Sequence, residues 1–536
     1  MDVYKGTGAF SGIAIGKILY YHKSEYQMRQ YEITDVKTEL NIFRQARTRV
    51  MEQLEDLYEK NCIIQGTQAE IFLRQKNLLE GKSFQRAIES VIQSEKVNSA
   101  YAVMTTRDEM LKTFRTLEEP AIKERLDNMR EISDRLIGEL GGISPRIDLG
   151  DEPVIVVTES ITPTELMEMD KDKLMAIVTH HGSDMSHAAI MAKTMNIPAL
   201  LEIDTDSEWD GRQAIVDGYT GTLYIDPDEE VKKEYEIRRQ ADKEEREELL
   251  KLRKEPDITK DGRKIEIYAN IGNMDDLNSV LYYGAAGIGL LRSEFQYLGR
   301  ENYPRENELF LAYKKIAETM GEKLTVIRTA DLGADKQAEY LNIPDETNPI
   351  MGNRGIRLCL DRKRMFKAQL RAIFRASAYG NLALMYPMIS SEEEMDEIEE
   401  IIREVKSGLD EKGIPYQHIK TGIMIETPAA VMISGELARE VDFFSIGTND
   451  LLQLTLGMDR ENPKLDKYYN PYHPALMKMI RIVANNVHLE GKRISICGDL
   501  AADLSMTEFF VQIGIDELSV APHQVLGLRK KIREIQ

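Results

Sequence analysis

The sequence predicts a multidomain α/β protein that ends in a (β/α)8 barrel. Its 536 residues exceed the size of one ordinary domain several-fold. After Pro256, eight β-prone segments separated by helical stretches fill the rest of the chain, which is the count and size of such a barrel. Ahead of them, a long helix-patterned block lies between two β-prone regions, so it reads as an insertion into an α/β unit. An open, doubly wound sheet is the alternative to the barrel on pattern alone.

The opening "GTGAFSGIAIGKILYY" is punctuated by glycine and predicts a pair of strands. From Thr34 the period changes. Val36, Leu40, Phe43, Val50, Leu54 and Leu57 recur at helical spacing, with Arg47 interrupting the stripe. Helical patterning continues through "PAIKERLDNMREISDRLIGEL" until "GGISP" stops it. Between "PVIVVTES" and "QAIVDGYTGTLYIDP" short strands alternate with helices, and a tight turn is expected at Asp217 and Gly218. The expected organisation is therefore an α/β domain from 1–20 and 146–227, a helical subdomain over 21–145, a charged helix over 228–256 and the barrel over 257–536. The charged stretch mixes both signs at i,i+4 spacing and reads as a solvated spacer about 40 Å long.

Composition narrows the function classes. No apolar run approaches the ~18 residues of a membrane span, and the N-terminus lacks the blocks of a signal peptide. Cys62, Cys359 and Cys497 are scattered without metal spacing, which points to a reducing cytoplasm. A formal charge of −21 disfavours nucleic acid and anionic lipid and favours a basic protein partner.

In a parallel barrel the reactive groups stand at the carboxyl ends of the strands. The eight segments are "KIEIYAN", "AGIGLL", "KLTVIRT", "RGIRLCL", "NLALMYPM", "GIMIET", "VDFFSIG" and "RISIC". After the second comes "LLRSEF" with Arg292, and after the third "VIRTADLGADK" with Arg328, Asp331 and Lys336. The fourth is flanked by Arg354 and Arg357. The sixth ends in Glu426, the seventh in "GTND" with Asn449 and Asp450, and the eighth in Cys497.

Taken singly, a strand-end arginine is a surface ion pair, Glu426 an acid suited to a helix N-terminus, and Cys497 a core residue. Together, arginines clamp phosphate or carboxylate oxygens, and two carboxylates from separate strands hold Mg²⁺. A thiol, with an ordinary pKa of about 8.5, can give a proton to carbon. The implied ligand is a small, highly anionic phosphate ester whose loss of phosphate leaves an enolate, which fits phosphoenolpyruvate.

The stretch "GSDMSHAAIMAKT" sets His187 at or near a helix N-terminus, where free N–H groups and the dipole favour an anion such as a phosphorylated imidazole. The bland reading is a satisfied structural histidine. His180 and His181 nearby admit a zinc reading, but "HHGSDMSH" lacks ligands at helical spacing.

These motifs bring out a resemblance. The chain resembles the Enzyme I family of the bacterial phosphoenolpyruvate:sugar phosphotransferase system from "SGIAIGK" to "ISICGDLAAD", through "LLRSEF", "NPIMGNRGIRLCL", "GIMIETPAAV", "SIGTNDLLQLTLGMDREN" and "SICGDLA". The resemblance implies a swivelling phosphohistidine domain with a helical carrier-binding insertion, a connecting helix and a barrel that binds phosphoenolpyruvate. It implies that His187 is phosphorylated, that Arg292 and Arg328 clamp phosphate, that Glu426 and Asp450 bind Mg²⁺ and that Cys497 protonates the methyl of pyruvate. Asn449 and Arg460 would complete the pocket, the small carrier HPr would accept the phosphoryl group, and the protein would be a homodimer through its barrel.

The match departs at the histidine. The family's Gly-Gly-Arg-Thr-Ser-His is Gly182, Ser183, Asp184, Met185, Ser186, His187 here, Lys193 replaces an arginine, and Gln75 stands where a histidine is common on the carrier-binding face. Asp184 should repel an incoming phosphoryl group. Two other readings share these motifs. One is a relative of pyruvate phosphate dikinase or phosphoenolpyruvate synthase, which needs an ATP-binding domain where this chain has helices and no "GxxxxGK[ST]" loop. The other is a regulatory paralog with weakened phosphotransfer.

Overall fold

The computed structural model describes the chain apart from residues 23–29, 66–69, 115–119, 142–146, 148, 182–191, 193–194, 196, 275, 299, 301, 335–338, 345, 461 and 466. The chain forms two compact units, Met1–Glu247 and Glu248–Gln536. Among the described residues, no helix is long and apolar enough to cross a membrane.

The first unit is built on an eight-stranded sheet of β1 (Asp2–Lys5), β2 (Thr7–Phe10), β3 (Ile13–Tyr20), β4 (Val154–Thr158), β5 (Leu174–Thr179), β6 (Ala199–Leu201), β7 (Gln213–Asp217) and β8 (Thr222–Ile225). Their spatial order is β1-β8-β7-β3-β4-β5-β6-β2. Alternation divides its side chains between two cores. Val154 and Val156 pack with the helical block, while Ile155 and Val157 join Trp209, Ala214 and Leu223 on the opposite face.

At the N-terminus the opening stretch holds the two expected strands, β2 and β3, but they do not pair with each other. Three short strands lie there, and none pairs with another: β1 pairs with β8, β2 with β6, and β3 with β4 and β7. The helical block is the excursion between β3 and β4, which run parallel with Lys17 opposite Val154. It comprises helices Val36–Gln65, Glu70–Glu80, Lys82–Glu95, Ser99–Phe114 and Pro120–Leu140. Phe43, Val50 and Leu54 are buried as the stripe requires. Arg47, the interruption, donates from Nε to the Leu79 carbonyl at 2.7 Å and ties two helices together.

The turn after β7 is held by Asp217, whose Oδ1 accepts from the amides of Tyr219 at 3.0 Å and Thr220 at 3.2 Å. Its Oδ2 receives the hydroxyl of Tyr235 at 3.0 Å. Tyr235 belongs to the charged helix Glu229–Lys251 and is buried. That helix carries the expected i,i+4 pairs, such as Arg246–Asp242 at 3.5 Å. It differs from a free spacer, because Tyr235, the Tyr219–Asp242 hydrogen bond and the Arg246 bond to the Ser11 carbonyl dock it on the sheet unit along most of its length.

The second unit is a closed parallel barrel of β9 (Glu266–Ile271), β10 (Ile288–Arg292), β11 (Thr325–Arg328), β12 (Leu382–Tyr386), β13 (Lys420–Ile425), β14 (Phe443–Ile446), β15 (Arg493–Ile496) and β16 (Glu517–Val520). Closure by β16 against β9, with Glu517 opposite Glu266, rules out the open sheet. Leu290, Val326, Ala383, Met385, Met424 and Cys497 fill the interior, whereas the neighbours Ile423 and Ile425 face the surrounding helices.

One of the eight expected strands is a helix. "RGIRLCL" forms the helix Ile356–Asp361, opened by Gly355 at φ +57°, and its buried Ile356, Leu358 and Cys359 face the core. A short apolar run suits either element, and the left-handed glycine decides here. The strand missing from the expected set is "ELSV" in β16, too short to register as a periodic segment.

Beneath the interior core sits a charged floor. Glu266 accepts from Arg493 and Lys264 at 2.6 Å each. Glu517 points inward, since a Cβ on Gly289 would lie 2.7 Å from its Oε1. Burial pushes its carboxyl up to about 8, Arg493 opposes the rise, and Glu266 and Asp516 add to it. The folded state therefore binds this proton more tightly than the unfolded chain. The resulting stability is complete below the ordinary carboxylate range and is lost as pH rises through about 8. Glu517→Gln should melt with the wild type at pH 5 and above it, by roughly 2 °C or more, at pH 9. Melting curves at both pH values check this, and an equal offset at both contradicts it.

Candidate functional site

The parallel barrel turns the carboxyl ends of all eight strands to one mouth. Arg292 and Arg328 end β10 and β11 and are register partners. Glu426 directly follows β13. Asn449 and Asp450 lie in the first turn of the helix Thr448–Leu456 after β14, and Cys497 follows β15. Two glycines let these loops close together. A Cβ on Gly447 would sit 3.0 Å from Glu426 Oε2, and one on Gly498 would sit 2.0 Å from Thr448 Oγ1.

Electrostatics draws the same group of residues together. Burial lowers the pKa of Arg328, but Glu294, Asp331, Glu426 and Asp450 outweigh it and hold the guanidinium firmly charged. Burial, then Asp450 and Asp331, raise the Glu426 carboxyl well above its usual range, with Arg328 opposing. Burial likewise pushes the Cys497 thiol up to about 11, and Arg328 and Arg292 are among the charges acting on it. At neutral pH this sulfur keeps its proton.

Glu426 is only 1% exposed. Its Oε1 accepts the amide of Met388 at 2.6 Å, an amide aimed by a left-handed backbone at φ +59°. Its Oε2 is buried with no hydrogen-bond partner among the described residues. A free, buried carboxylate oxygen beside Asp450 suits a hard divalent cation that completes its shell with water and substrate oxygens. Among the described residues, no group of three or more His, Cys, Asp or Glu forms a cation cage.

Asn449 and Arg460 line an adjoining cavity of about 510 Å³ with Thr448, Tyr469 and Asp499. Asn449 is oriented by Asp499, donating to its Oδ2 at 2.8 Å and accepting its amide at 3.1 Å.

The other expected residues are engaged in different ways. Arg354 is buried and donates to Asp331 Oδ2 at 3.0 Å. Arg357 sits on the helix that replaced the fourth expected strand and lies 3.8 Å from Glu394. Gln75 is 1% exposed and donates to Glu131 Oε2 at 2.7 Å and Thr164 Oγ1 at 3.2 Å, so it braces helices instead of facing a partner. His180 meets the Ile203 carbonyl at 3.2 Å. His187, with Gly182, Ser183, Asp184, Met185, Ser186 and Lys193, lies outside the described residues, as does Lys336. Sequence reasoning passed over Glu294, Gln369 and Met388. Only Glu294 had a signal, an acid two residues past Arg292 at a strand end.

Three family models match the chain: the N-terminal region of PEP-utilising enzymes at residues 5–125, their mobile domain at 150–221 and their PEP-binding domain at 246–536. The chain is 37% identical to the phosphoenolpyruvate-protein phosphotransferase of Bacillus subtilis, over 100% of this chain and 95% of that one. It is 38% identical to the protein of the same name from Haemophilus influenzae, over 99% and 93%. The corresponding protein of Staphylococcus carnosus is 35% identical over 99% and 94%.

Gly498→Ala should displace the "GTND" turn and lower turnover about 100-fold, because small misplacements of reacting groups are costly. The circular dichroism spectrum should stay unchanged. Gly527→Ala, whose Cβ meets nothing within 4 Å, should leave both unaltered. Equal rates for the two variants would refute the close-approach argument.

Proposed function

The chain belongs to the phosphoenolpyruvate-protein phosphotransferases, and from that premise we propose that it carries the phosphoryl group of phosphoenolpyruvate on His187 and hands it to a histidine of a small HPr-type carrier. It is an enzyme of phosphoenolpyruvate-dependent transfer to a protein acceptor. The observation that carries the residue assignment is the pair of buried polar atoms without partners among the described residues, Arg328 Nε and Glu426 Oε2, in one electrostatic cluster with Cys497.

Arg292 and Arg328 hold the phosphate, Arg328 through nitrogens not engaged by carboxylate. A ring nitrogen of His187 attacks phosphorus as the bond from phosphorus to the enol oxygen breaks, and the electron pair stays on that oxygen as the enolate of pyruvate. Carbon 3 then takes the Cys497 proton, and the thiolate regains one from solvent. Asn449 and Arg460 bind the carboxylate end of the substrate. Glu426 and Asp450 would hold Mg²⁺, which when bound supplies positive charge against the phosphoryl and enolate oxygens.

In this reading 1–20 and 146–227 form the phosphohistidine domain, 21–145 the carrier-binding block, 228–256 the connecting helix and 257–536 the substrate barrel. The family resemblance supports a homodimer through the barrel. A cytoplasmic location agrees with Cys359 and Cys497, which are free and buried.

Incubation with Mg²⁺ and phosphoenolpyruvate labelled in its phosphate should label the wild type and leave His187→Ala unlabelled. Label retained by that variant defeats the assignment of the histidine. Adding an HPr-type carrier should discharge the label. Cys497→Ala should still bind substrate but turn over at least about 100-fold more slowly, the usual scale for a lost general acid. An unaffected rate removes the thiol from the reaction.

A further inference from the structure

The cluster holds two buried carboxylates with no part in the chemistry above, Glu294 and Asp331. Glu294 lies on the single turn Ser293–Gln296 that follows β10 and is 6% exposed. Its Oε1 accepts from Arg328 Nη2 at 2.9 Å and from the Asp331 amide at 2.9 Å. Asp331 Oδ2 lies 3.5 Å from the same Arg328 Nη2 and 3.0 Å from Arg354 Nη2. Acid and base thus alternate: Glu294, Arg328, Asp331, Arg354.

The alternation divides the guanidinium of Arg328. Among the described residues, Nη2 is taken by carboxylates, Nη1 meets only the Met424 thioether at 3.7 Å, and Nε has no hydrogen-bond partner. A carboxylate accepts strongly and a thioether weakly, so the side away from Glu294 remains for an anion. Glu294 also counters a competing attraction. Glu426 and Asp450 also attract Arg328, more weakly than Glu294. Without Glu294, Arg328 would swing toward those acids and neutralise the groups that face the substrate.

The carboxylate is itself braced. Gln369, fully buried, donates from Nε2 to Ser293 Oγ at 2.9 Å and to Tyr313 OH at 3.1 Å. Its Oε1 accepts the Ala330 amide at 3.1 Å. One side chain therefore fixes the residue before Glu294 and the residue before Asp331.

We infer that Glu294 is a positioning residue that decides which nitrogens of Arg328 meet the phosphate of the substrate, an inference that rests on the phosphoenolpyruvate reading of the mouth. Its effect passes through Arg328, so the two residues form one functional unit.

The test measures binding without turnover, by calorimetry of phosphoenolpyruvate with Mg²⁺ in the full-length His187→Ala protein. Adding Glu294→Gln should weaken binding about 30-fold, the scale of a hydrogen bond to a charged group. Adding Arg328→Lys should also weaken binding, and combining it with Glu294→Gln should cost less than the product of the two, because both act on one contact. A binding constant within twofold of the parent, or strict multiplication of the two effects, overturns the inference in favour of a structural role. If Glu294→Gln does not fold, Glu294→Asp takes its place. It keeps the charge but withdraws it by one methylene, so at least about fivefold weaker binding is expected, and unchanged binding counts against the inference. Failure of the His187→Ala parent itself to bind phosphoenolpyruvate would strike the substrate reading, a result distinct from a null effect at Glu294.

Discussion

Compensation of buried charge is the condition on which the barrel mouth depends. Burying an unpaired ion costs several kcal/mol, yet Glu294, Arg328, Asp331, Arg354 and Glu426 are all nearly inaccessible to water. They coexist because signs alternate and because backbone amides at Asp331 and Met388 supply further positive poles. The few valences left over, on Arg328 and Glu426, are where an anion and a cation can enter. Parallel closure supplies the placement. The wall beneath the mouth is an ordinary apolar interior of Leu290, Val326, Met385 and Met424, so precision at the rim rests on packing below it.

Much of this was legible in the sequence. Strand-end positions in a parallel barrel converge wherever the strands are correctly identified, so Arg292, Arg328, Glu426, Asp450 and Cys497 could be grouped before any coordinates. Two strand errors left that grouping intact. "RGIRLCL" is apolar enough for either element, and only the left-handed Gly355 made it a helix, while "ELSV" is four residues long and gave no period to count. Supporting residues were harder to see. Whether an acid braces or reacts depends on what faces it across the chain, and Glu294 faces a residue 34 positions away. Gln75 shows the converse, since its hydrophilic side chain gave no hint of its burial.

In the first unit, the change of period from two to 3.6 announced the helical insertion. The docking of the charged helix was not announced. Among its many ion pairs a single aromatic, Tyr235, finds the otherwise inaccessible Asp217, and the charge pattern around it gives the impression of a helix surrounded by solvent. Pairing partners were hidden as well, because local alternation identifies a strand without naming its neighbour.

The excursion between β3 and β4 bears on how the protein emerges from the ribosome. Asp2 pairs with Ile225 and Ile13 with Asp217, so the first strands spend most of the synthesis of the unit without their final neighbours. The helical block, made wholly in between, can gather its own contacts early, whereas the sheet must wait for its last hairpin. Those leading strands are therefore open edges on the nascent chain, and a translational pause placed before β7 would lengthen the interval in which they can find the wrong partner.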